Sequence, residues 1–281
     1  SSILDEMRMC KSQEEIENMQ KSADLASLAH SRAMEKTHVG IGEWEIQALI
    51  EGCFLSHGSQ WSYPSIVGGG DNATILHYHA NNKPVLDGEL VLVDAGCEVD
   101  GYASDITRTW PVNGKFTEPQ REIYNLVLKA EIAGIEACQV GAPWNASHKA
   151  AMEVISRGLI DLGILSCTFE EAMGADLDGK TRQFFMHGTS HSLGLDVHDV
   201  GVTRPGGKGD GRILEEGMVL TVEPGIYFAS WREDLQIPEK YSGIGVRIED
   251  DVLITKDGPV VLTSKCPKEV SDIETLVGSG L

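Results

Sequence analysis

The decapeptide EGMVLTVEPG (Glu216–Gly225) is nearly a copy of DGELVLVDAG (Asp87–Gly96). Each copy begins with an acidic residue and a glycine, continues as an apolar run, and then places an acid, Asp94 or Glu223, two residues before a final glycine. The apolar runs are typical of buried strands. A carboxylate at the end of a buried strand is unfavourable unless a partner neutralises it. The two matching acids therefore indicate one site built from two related halves, and a metal ion is the first candidate for the partner.

The composition argues against several classes of partner. The 281 residues include 43 Asp and Glu against 23 Lys and Arg, which gives a formal net charge of −20. We therefore expect no nucleic-acid partner and no membrane partner, because both require a basic face. No apolar run approaches the roughly 20 residues of a membrane helix. The six cysteines lack a CxxC pair and are expected to be reduced thiols, which predicts a cytoplasmic location, or a mitochondrial one in a eukaryote.

The order of predicted elements is also repeated. Ser12 and Glu15 have the spacing of a capping box, and Pro119 lies near the first turn of a later helix. We predict two long helices in each half, over about 12–36 and 43–56, and over about 117–139 and 144–162. Helix, helix and acid-bearing strands thus occur twice, which indicates an α+β fold made of duplicated units. We expect one domain over residues 1–281 with the site between its halves.

A hairpin is predicted around the turn Glu98–Gly101. If its centre lies between Val99 and Asp100, Asp94 and Asp105 are direct cross-strand partners with Cβ atoms roughly 5 Å apart. Two ionised carboxylates at that distance repel each other unless a cation lies between them or one takes up a proton. The predicted register therefore favours a cation site.

The second half contributes Glu223 and a strand predicted over about 244–255, in which Arg247 and Glu249 share a face. For any single acid in so acidic a chain, a solvated surface carboxylate or an ordinary salt bridge is the simpler interpretation. That interpretation is weaker for four acids at matched strand ends of a repeated motif.

Two groups of histidines accompany the acids. The segment MHGTSHSLGLDVHDVG contains His187, His191 and His198, and LHYH contains His77 and His79. The first two are four residues apart, as in HExxH zinc proteases, but the glutamate is missing and the glycines disfavour a helix. We expect at least one of the three to be a hydrogen-bonded structural residue. In a strand, His77 and His79 would share a face.

Charge balance suggests the number of metal ions. Four carboxylates with one neutral histidine carry a charge of −4, which two divalent cations neutralise. Oxygen-rich ligation with one imidazole favours Mn²⁺, with Co²⁺ or Zn²⁺ as alternatives. Two such ions would hold a water and polarise a carbonyl, as in hydrolases.

The acids and histidines together resemble the signature of the pita-bread metallopeptidases, which include methionine aminopeptidase, Xaa-Pro dipeptidase, aminopeptidase P and creatinase. The resemblance covers nearly the whole chain and is strongest to aminopeptidase P. It implies a pita-bread fold with pseudo-twofold symmetry and a dinuclear centre. It also implies five metal ligands, with Asp105 and Glu249 bridging the two ions: Asp94, Asp105, His191, Glu223 and Glu249.

The resemblance further implies catalytic and substrate-binding roles. Glu223 would transfer the proton of the attacking water, and His198 would hydrogen-bond the scissile carbonyl. His187 and His77 would contact the substrate and leaving group. Arg247 and Tyr227 match residues of the substrate site.

The resemblance predicts an Xaa-Pro aminopeptidase, which acts on peptides with proline at the second position. Xaa-Pro dipeptidase is the alternative within the same chemistry, and a non-catalytic pita-bread binding module is a more distant one. Methionine aminopeptidase and creatinase activities fit the motifs less well. Full-length aminopeptidases P carry an additional N-terminal domain, which we expect to be absent here, and a homo-oligomer is left open.

Overall fold

The computed structural model describes residues 3–204 and 209–281, and its helices surround a centre of short strands. The four long helices predicted from the sequence are confirmed as α2 to α5, with ends that differ by up to three residues. The helices are α1 (Ile3–Met9), α2 (Gln13–Lys36), α3 (Glu43–Ser56), α4 (Glu118–Glu136), α5 (Ala146–Asp161), α6 (Phe169–Met173) and α7 (Val270–Leu276).

Capping boxes set the starts of the two longest helices. The Ser12 hydroxyl accepts a hydrogen bond from the Glu15 amide (3.3 Å), and the Glu15 carboxylate accepts one from the Ser12 amide (2.7 Å). Thr117 and Gln120 make the same pair of contacts at α4. Each box satisfies two amide groups that the first helical turn leaves without partners. Helix α2 packs on α3 and α4 on α5, so each half of the chain supplies one helix pair.

The strands form small antiparallel sheets. They are β1 (Gln60–Trp61), β2 (Ile66–Gly69), β3 (Leu90–Asp94), β4 (Cys97–Val99), β5 (Tyr102–Ala103), β6 (Thr107–Pro111), β7 (Val219–Val222), β8 (Gly225–Tyr227), β9 (Gly245–Arg247), β10 (Asp250–Thr255) and β11 (Gly258–Val261). The sheet orders are β2-β3-β6 in the first half, β11-β10-β7 in the second, and the smaller β1-β4-β5 and β8-β9.

The repeated decapeptides form β3 and β7, as the sequence predicts. Their turns are equivalent, since Gly88 and Gly217 both have positive φ (82° and 90°), a conformation that favours glycine. The apolar residues of both strands are buried. A bridge between Thr107 and Glu249 joins the two halves. The duplicated α+β architecture is therefore confirmed, with the two acid-bearing strand ends near that bridge.

The predicted hairpin register is wrong: the turn is centred one residue later than predicted, which shifts each cross-strand partner by two residues. Asp94 lies opposite Thr107, not Asp105. The turn is formed by Asp100 and Gly101, both with positive φ (52° and 85°). A two-residue turn of this kind matches the twist of the flanking strands, which explains the shift. Asp105 still lies on the face of Asp94, because it is two residues from Thr107.

The strand predicted over 244–255 is also wrong as a single element. It is divided into β9 and β10, which belong to different sheets, with Ile248 and Glu249 between them. The Ile248 amide donates to the Pro224 carbonyl (3.3 Å), and the Glu249 amide donates to the Thr107 carbonyl (3.1 Å). The break places Glu249 where the two halves meet.

Three further predictions concern smaller features. The six cysteines are free thiols, as expected. Within the described ranges, no helix is long and apolar enough to cross a lipid bilayer. The glycine-rich sequence GVTRPGGKGDG (Gly201–Gly211) predicts a surface loop, and its residues 205–208 lie outside the described residues.

Candidate active site

A cavity of about 550 Å³ opens where the two halves of the chain meet. Most of the predicted site residues are in its walls: Asp94, Asp105, His191, Glu223 and Glu249 of the metal set, and His77, His187, His198 and Arg247 of the substrate set. Tyr227 is buried behind the wall and only 2% exposed. The tertiary structure therefore brings together residues that are up to 172 positions apart in the sequence.

His191 lies at the centre of the carboxylates. Its Nε2 atom is 3.3 Å from Asp105 Oδ2, 3.7 Å from Glu223 Oε1 and 4.0 Å from Glu249 Oε1. Ligand atoms of Asp105, His191 and Glu249 all lie within 4.8 Å of one another, close enough to contact a common ion. Oxygen donors with one imidazole are a set that Mn²⁺ and related divalent ions accept.

Backbone hydrogen bonds hold these ligands in place. The His191 amide donates to Thr221 Oγ1 (3.1 Å), and the Thr221 amide donates to the His191 carbonyl (3.1 Å). The Glu223 amide donates to the Thr189 carbonyl (2.9 Å). The histidine segment is thus fixed along β7, whose end carries Glu223.

The carboxyl groups of the site have raised pKa values. Burial raises the pKa of Asp105 and Glu249, and neighbouring carboxylates raise each further. Burial also raises the pKa of Glu223, to about 7. Burial lowers the pKa of His191, but its hydrogen bond to Asp105 and the charge of Glu223 outweigh this and raise it to about 9. Without a metal ion the site would retain protons in place of cations.

A hydrogen-bonded chain extends behind Asp94. Arg247 Nη2 donates to Asp94 Oδ2 (2.7 Å), and its Nη1 donates to the Tyr227 hydroxyl (3.0 Å). His187 Nε2 lies 2.8 Å from the same hydroxyl. Thr107 receives a hydrogen bond from Arg247 Nε (3.1 Å) and donates to Glu249 Oε2 (2.6 Å). Arg247 and Tyr227 thus hold two of the predicted ligands, Asp94 and Glu249, in position, and their direct contact with substrate stays a prediction.

Sequence reasoning missed two residues that touch the ligands. The Tyr63 hydroxyl lies 2.6 Å from Asp94 Oδ1 and 2.5 Å from Asp105 Oδ1 and donates to this pair. Asp251 accepts a hydrogen bond from the Asp105 amide (3.0 Å). Tyr63 is on the segment between β1 and β2, where no motif marks it. Asp251 could have been noticed as the acid two residues after Glu249, which would share its face in a strand.

The three predicted substrate-site histidines occupy different surroundings. Burial, and then the charge of Arg247, lowers the pKa of His187 to about 3, so this imidazole is neutral. The ring of His198 packs edge-on against His191, with centroids 4.4 Å apart. Burial and the charge of His191 lower the pKa of His198. His77 lies in a turn and His79 in the irregular segment after it, so the strand on which a shared face depended is not formed, yet both histidines line the cavity.

The irregular backbone of residues 187–191 agrees with the expectation that this is not an HExxH helix.

Comparison with known families identifies one match over most of the chain. The model of metallopeptidase family M24 matches residues 17–256. The Xaa-Pro aminopeptidase of Haemophilus influenzae is 49% identical over 98% of this chain, and that of Escherichia coli is 46% identical over 98%. This chain spans 62% and 60% of the lengths of these two relatives.

Solved structures give the same result for the fold. An aminopeptidase PepP of Pseudomonas aeruginosa superposes with a TM-score of 0.93 and 44% identity, over 99% of this chain and 62% of that one. A zinc-substituted E. coli aminopeptidase P in complex with product gives a TM-score of 0.92 and 46% identity, over 99% and 62%. The pita-bread fold predicted from the sequence is therefore confirmed.

Proposed function

The chain belongs to metallopeptidase family M24, and from this premise we propose that it acts as an Xaa-Pro aminopeptidase. This activity hydrolyses the bond between an N-terminal residue and a following proline. The observation that carries the proposal is the convergence of Asp105, Glu223 and Glu249 on His191, in a cavity whose walls also include Asp94 and three further histidines, His77, His187 and His198. The relatives named above support the same activity, and they are longer than this chain.

Two divalent metal ions fit the donors of the cavity. Asp94, Asp105, Glu223 and Glu249 offer carboxylate oxygens and His191 offers an imidazole nitrogen, and their charge of −4 balances two such ions. We propose Mn²⁺, with Zn²⁺ and Co²⁺ as alternatives. A pair of these ions would supply Lewis acidity for the scissile carbonyl and lower the pKa of the attacking water.

We propose the following roles for the protein groups of the cavity. Glu223 would accept the proton of the attacking water and return it to the leaving nitrogen. His198, beside His191, would donate a hydrogen bond to the developing oxyanion. His77 and His187, which also line the cavity, would contact the substrate and steady the leaving group. Arg247 and Tyr227 would keep Asp94 in its ligating position through the hydrogen bonds described above.

The proposed substrate is a peptide with proline at its second position, and peptide length separates the two proline-specific activities. We expect hydrolysis of Xaa-Pro-Yaa tripeptides in the presence of Mn²⁺, loss of activity with a chelator, and recovery when Mn²⁺ is restored. Xaa-Ala-Yaa peptides are the matched control. Activity confined to Xaa-Pro dipeptides would instead establish the dipeptidase alternative.

A non-catalytic binding module is the remaining alternative, and metal analysis distinguishes it. The purified protein should retain or take up about two equivalents of Mn²⁺, Zn²⁺ or Co²⁺ per chain. A protein that binds none of these ions and hydrolyses no proline peptide would be a binding module. The retention of all five predicted ligands favours the enzyme.

Three further proposals concern the protein as a whole. Residues 1–281 would form a single catalytic domain, which limited proteolysis would test. The oligomeric state, for which a homo-oligomer is one option, would be read from light scattering. A cytoplasmic location is supported by the bacterial relatives and would be tested by cell fractionation.

A further inference from the structure

A short segment near the N-terminus contacts the loop that carries His198. Residues 8–11, hereafter the clamp segment, lie outside the range matched by the family model, which begins at residue 17. Residues 192–200, hereafter the His198 loop, connect His191 to the surface. The Lys11 amide donates to the Gly217 carbonyl (2.8 Å), and the backbone of Cys10 forms an isolated antiparallel β-bridge with Met218. The clamp segment is therefore fixed beside β7, which also holds His191.

Asp199 links the clamp segment to the His198 loop. Its side chain is only 1% exposed and forms ion pairs with Arg8 through Oδ1 and with Lys11 through Oδ2 (3.8 Å). Lys11 is itself buried, with 2% of its side chain exposed. The Val200 amide also donates to Asp199 Oδ1 (2.9 Å). A buried carboxylate that loses its partners is strongly unfavourable, so these contacts define one position for Asp199.

The backbone of the loop is shaped to admit this carboxylate. The Asp199 amide donates to the Ser192 carbonyl (2.9 Å), which closes the loop at its base. A Cβ atom added at Gly194 would lie 2.3 Å from Asp199 Oδ2 and 3.1 Å from Lys11 Cε. A side chain at this position would therefore displace the Asp199 carboxylate from its observed position.

Asp199 and its neighbour His198 point in different directions. With Asp199 turned inward, His198 is turned toward the cavity, where its ring packs on His191. We propose that Asp199 is a positioning residue, which Arg8 and Lys11 hold so that His198 faces the scissile bond. The proposal rests on the proposed peptidase function for its kinetic test only. It assigns a role to the clamp segment, which contributes none of the predicted metal ligands.

The kinetic test is a pair of double-mutant cycles. Arg8→Met and Asp199→Asn should each lower kcat for an Xaa-Pro-Yaa peptide about 5- to 20-fold, within the usual range for coupled neighbours. In the His198→Ala background each should change kcat less than about 2-fold, because the group they position is already absent. Equal losses in both backgrounds would show a general structural effect and overturn the proposal.

Arg212→Met is the matched control. Arg212 also contacts α1, through Glu6 (3.2 Å), but makes no contact with the His198 loop among those observed. It should leave kcat unchanged. A loss as large as that of Arg8→Met would mean that α1 as a whole, and not Asp199, is responsible.

Hydrogen-exchange mass spectrometry tests the positioning without any substrate. Arg8→Met should accelerate exchange in residues 192–200 and leave the turn at residues 70–79 unchanged, with metal content as in the parent protein. Unchanged exchange in residues 192–200 would contradict the proposal. If the parent protein hydrolyses no peptide, the proposed function fails, whereas the exchange result still decides the role of the clamp segment.

Discussion

Two clusters of buried carboxylates lie on opposite sides of the same strands, and they differ in how their negative charge is neutralised. The metal-ligand cluster consists of Asp94, Asp105, Glu223 and Glu249, and the ion-pair cluster consists of Arg108, Glu131, Asp250 and Lys268. Glu249 and Asp250 are adjacent in the sequence, and both are at most 1% exposed. Because successive side chains of an extended chain point in opposite directions, these neighbours belong to different clusters.

The ion-pair cluster contains its own cations. Arg108 Nη2 lies 2.7 Å from Asp250 Oδ1, and Lys268 Nζ lies 2.6 Å from Asp250 Oδ2. Lys268 also pairs with Glu131 (2.8 Å). Arg108 Nη1 donates to the Glu249 carbonyl (2.6 Å), so this cluster supports the backbone of a proposed metal ligand.

The pKa values express the difference. Burial alone would raise the pKa of Asp250, but Arg108 and Lys268 outweigh burial and lower it. Burial and the surrounding carboxylates raise the pKa of Glu249. The comparison teaches that burial of an acid does not by itself mark a functional site. A site is indicated where the protein supplies too few cations for its carboxylates.

The largest expected effect follows from substitutions in the metal-ligand cluster. Glu249→Ala or Asp94→Ala should abolish metal binding and peptide hydrolysis, because each removes a ligand. The metal-free Glu249→Ala protein should stay folded, since this substitution removes one of several mutually repelling carboxylates. Asp94→Ala also removes the ion-pair partner of the buried Arg247 and should therefore be the less stable of the two. Metal analysis, turnover and circular dichroism check this prediction. Retained turnover in either variant would overturn the assignment of the site.

Substitution of Asp250, the neighbour of Glu249, should lower stability and leave metal binding intact. Asp250→Ala leaves Arg108 and Lys268 without their shared partner, and breaking such a buried pair costs about 3–5 kcal/mol of unfolding free energy. Denaturant unfolding of the metal-free protein measures this value. The folded fraction should still bind metal. If Asp250→Ala were as stable as the parent protein, the distinction between the two clusters would be lost.

Removal of His198 tests the cavity above the metal-ligand cluster. His198→Ala should lower kcat by about 10²-fold, the range for loss of an oxyanion donor, with metal content and stability unchanged. His38→Ala is the control, because His38 is an exposed histidine outside the cavity. An unchanged kcat would exclude His198 from the reaction.

A pH titration tests a third way to bury an ionisable group, which is to keep it neutral. His30 is fully buried, lies 2.9 Å from the Ala95 carbonyl through Nε2, and burial lowers its pKa to about 4. Between pH 6.5 and 4 the unfolded chain binds a proton at this position and the folded chain does not. The contribution of His30 to the free energy of unfolding is therefore fully present above pH 6.5, and it is lost as the pH falls from 6.5 to about 4.

Within this window, the protonation of His30 in the unfolded chain should lower the free energy of unfolding by about 1.4 kcal/mol for each pH unit. His30→Gln, whose amide can still donate to the Ala95 carbonyl, should reduce the pH dependence of unfolding by that amount. Denaturant unfolding of the two proteins at several pH values measures it. The same dependence in both would mean that His30 is protonated in the folded protein.

The sequence predicted the parts of the site that belong to repeated or periodic patterns. The matched strands with Asp94 and Glu223 could be recognised because the same apolar run occurs twice, and α2 to α5 because caps and glycines mark their ends. The strand pattern also singled out Asp105 and Glu249, and the resemblance to a family then identified His191 among the histidines as the ligand. Tyr63 could not be found in this way, because it lies outside any regular element and meets the ligands only after folding.

Local sequence determined which strands exist and which residues face the same side, because side-chain alternation is a property of the extended backbone. It did not determine how the strands are paired. The register of Asp94 with Thr107 depends on the turn at Asp100–Gly101, and the position of Glu249 depends on contacts with the other half of the chain. Only the tertiary structure decided that Asp250 receives Arg108 and Lys268 while Glu249 receives no such pair. Charge neutralisation depends on distances between residues far apart in sequence, and local patterns carry no information about those distances.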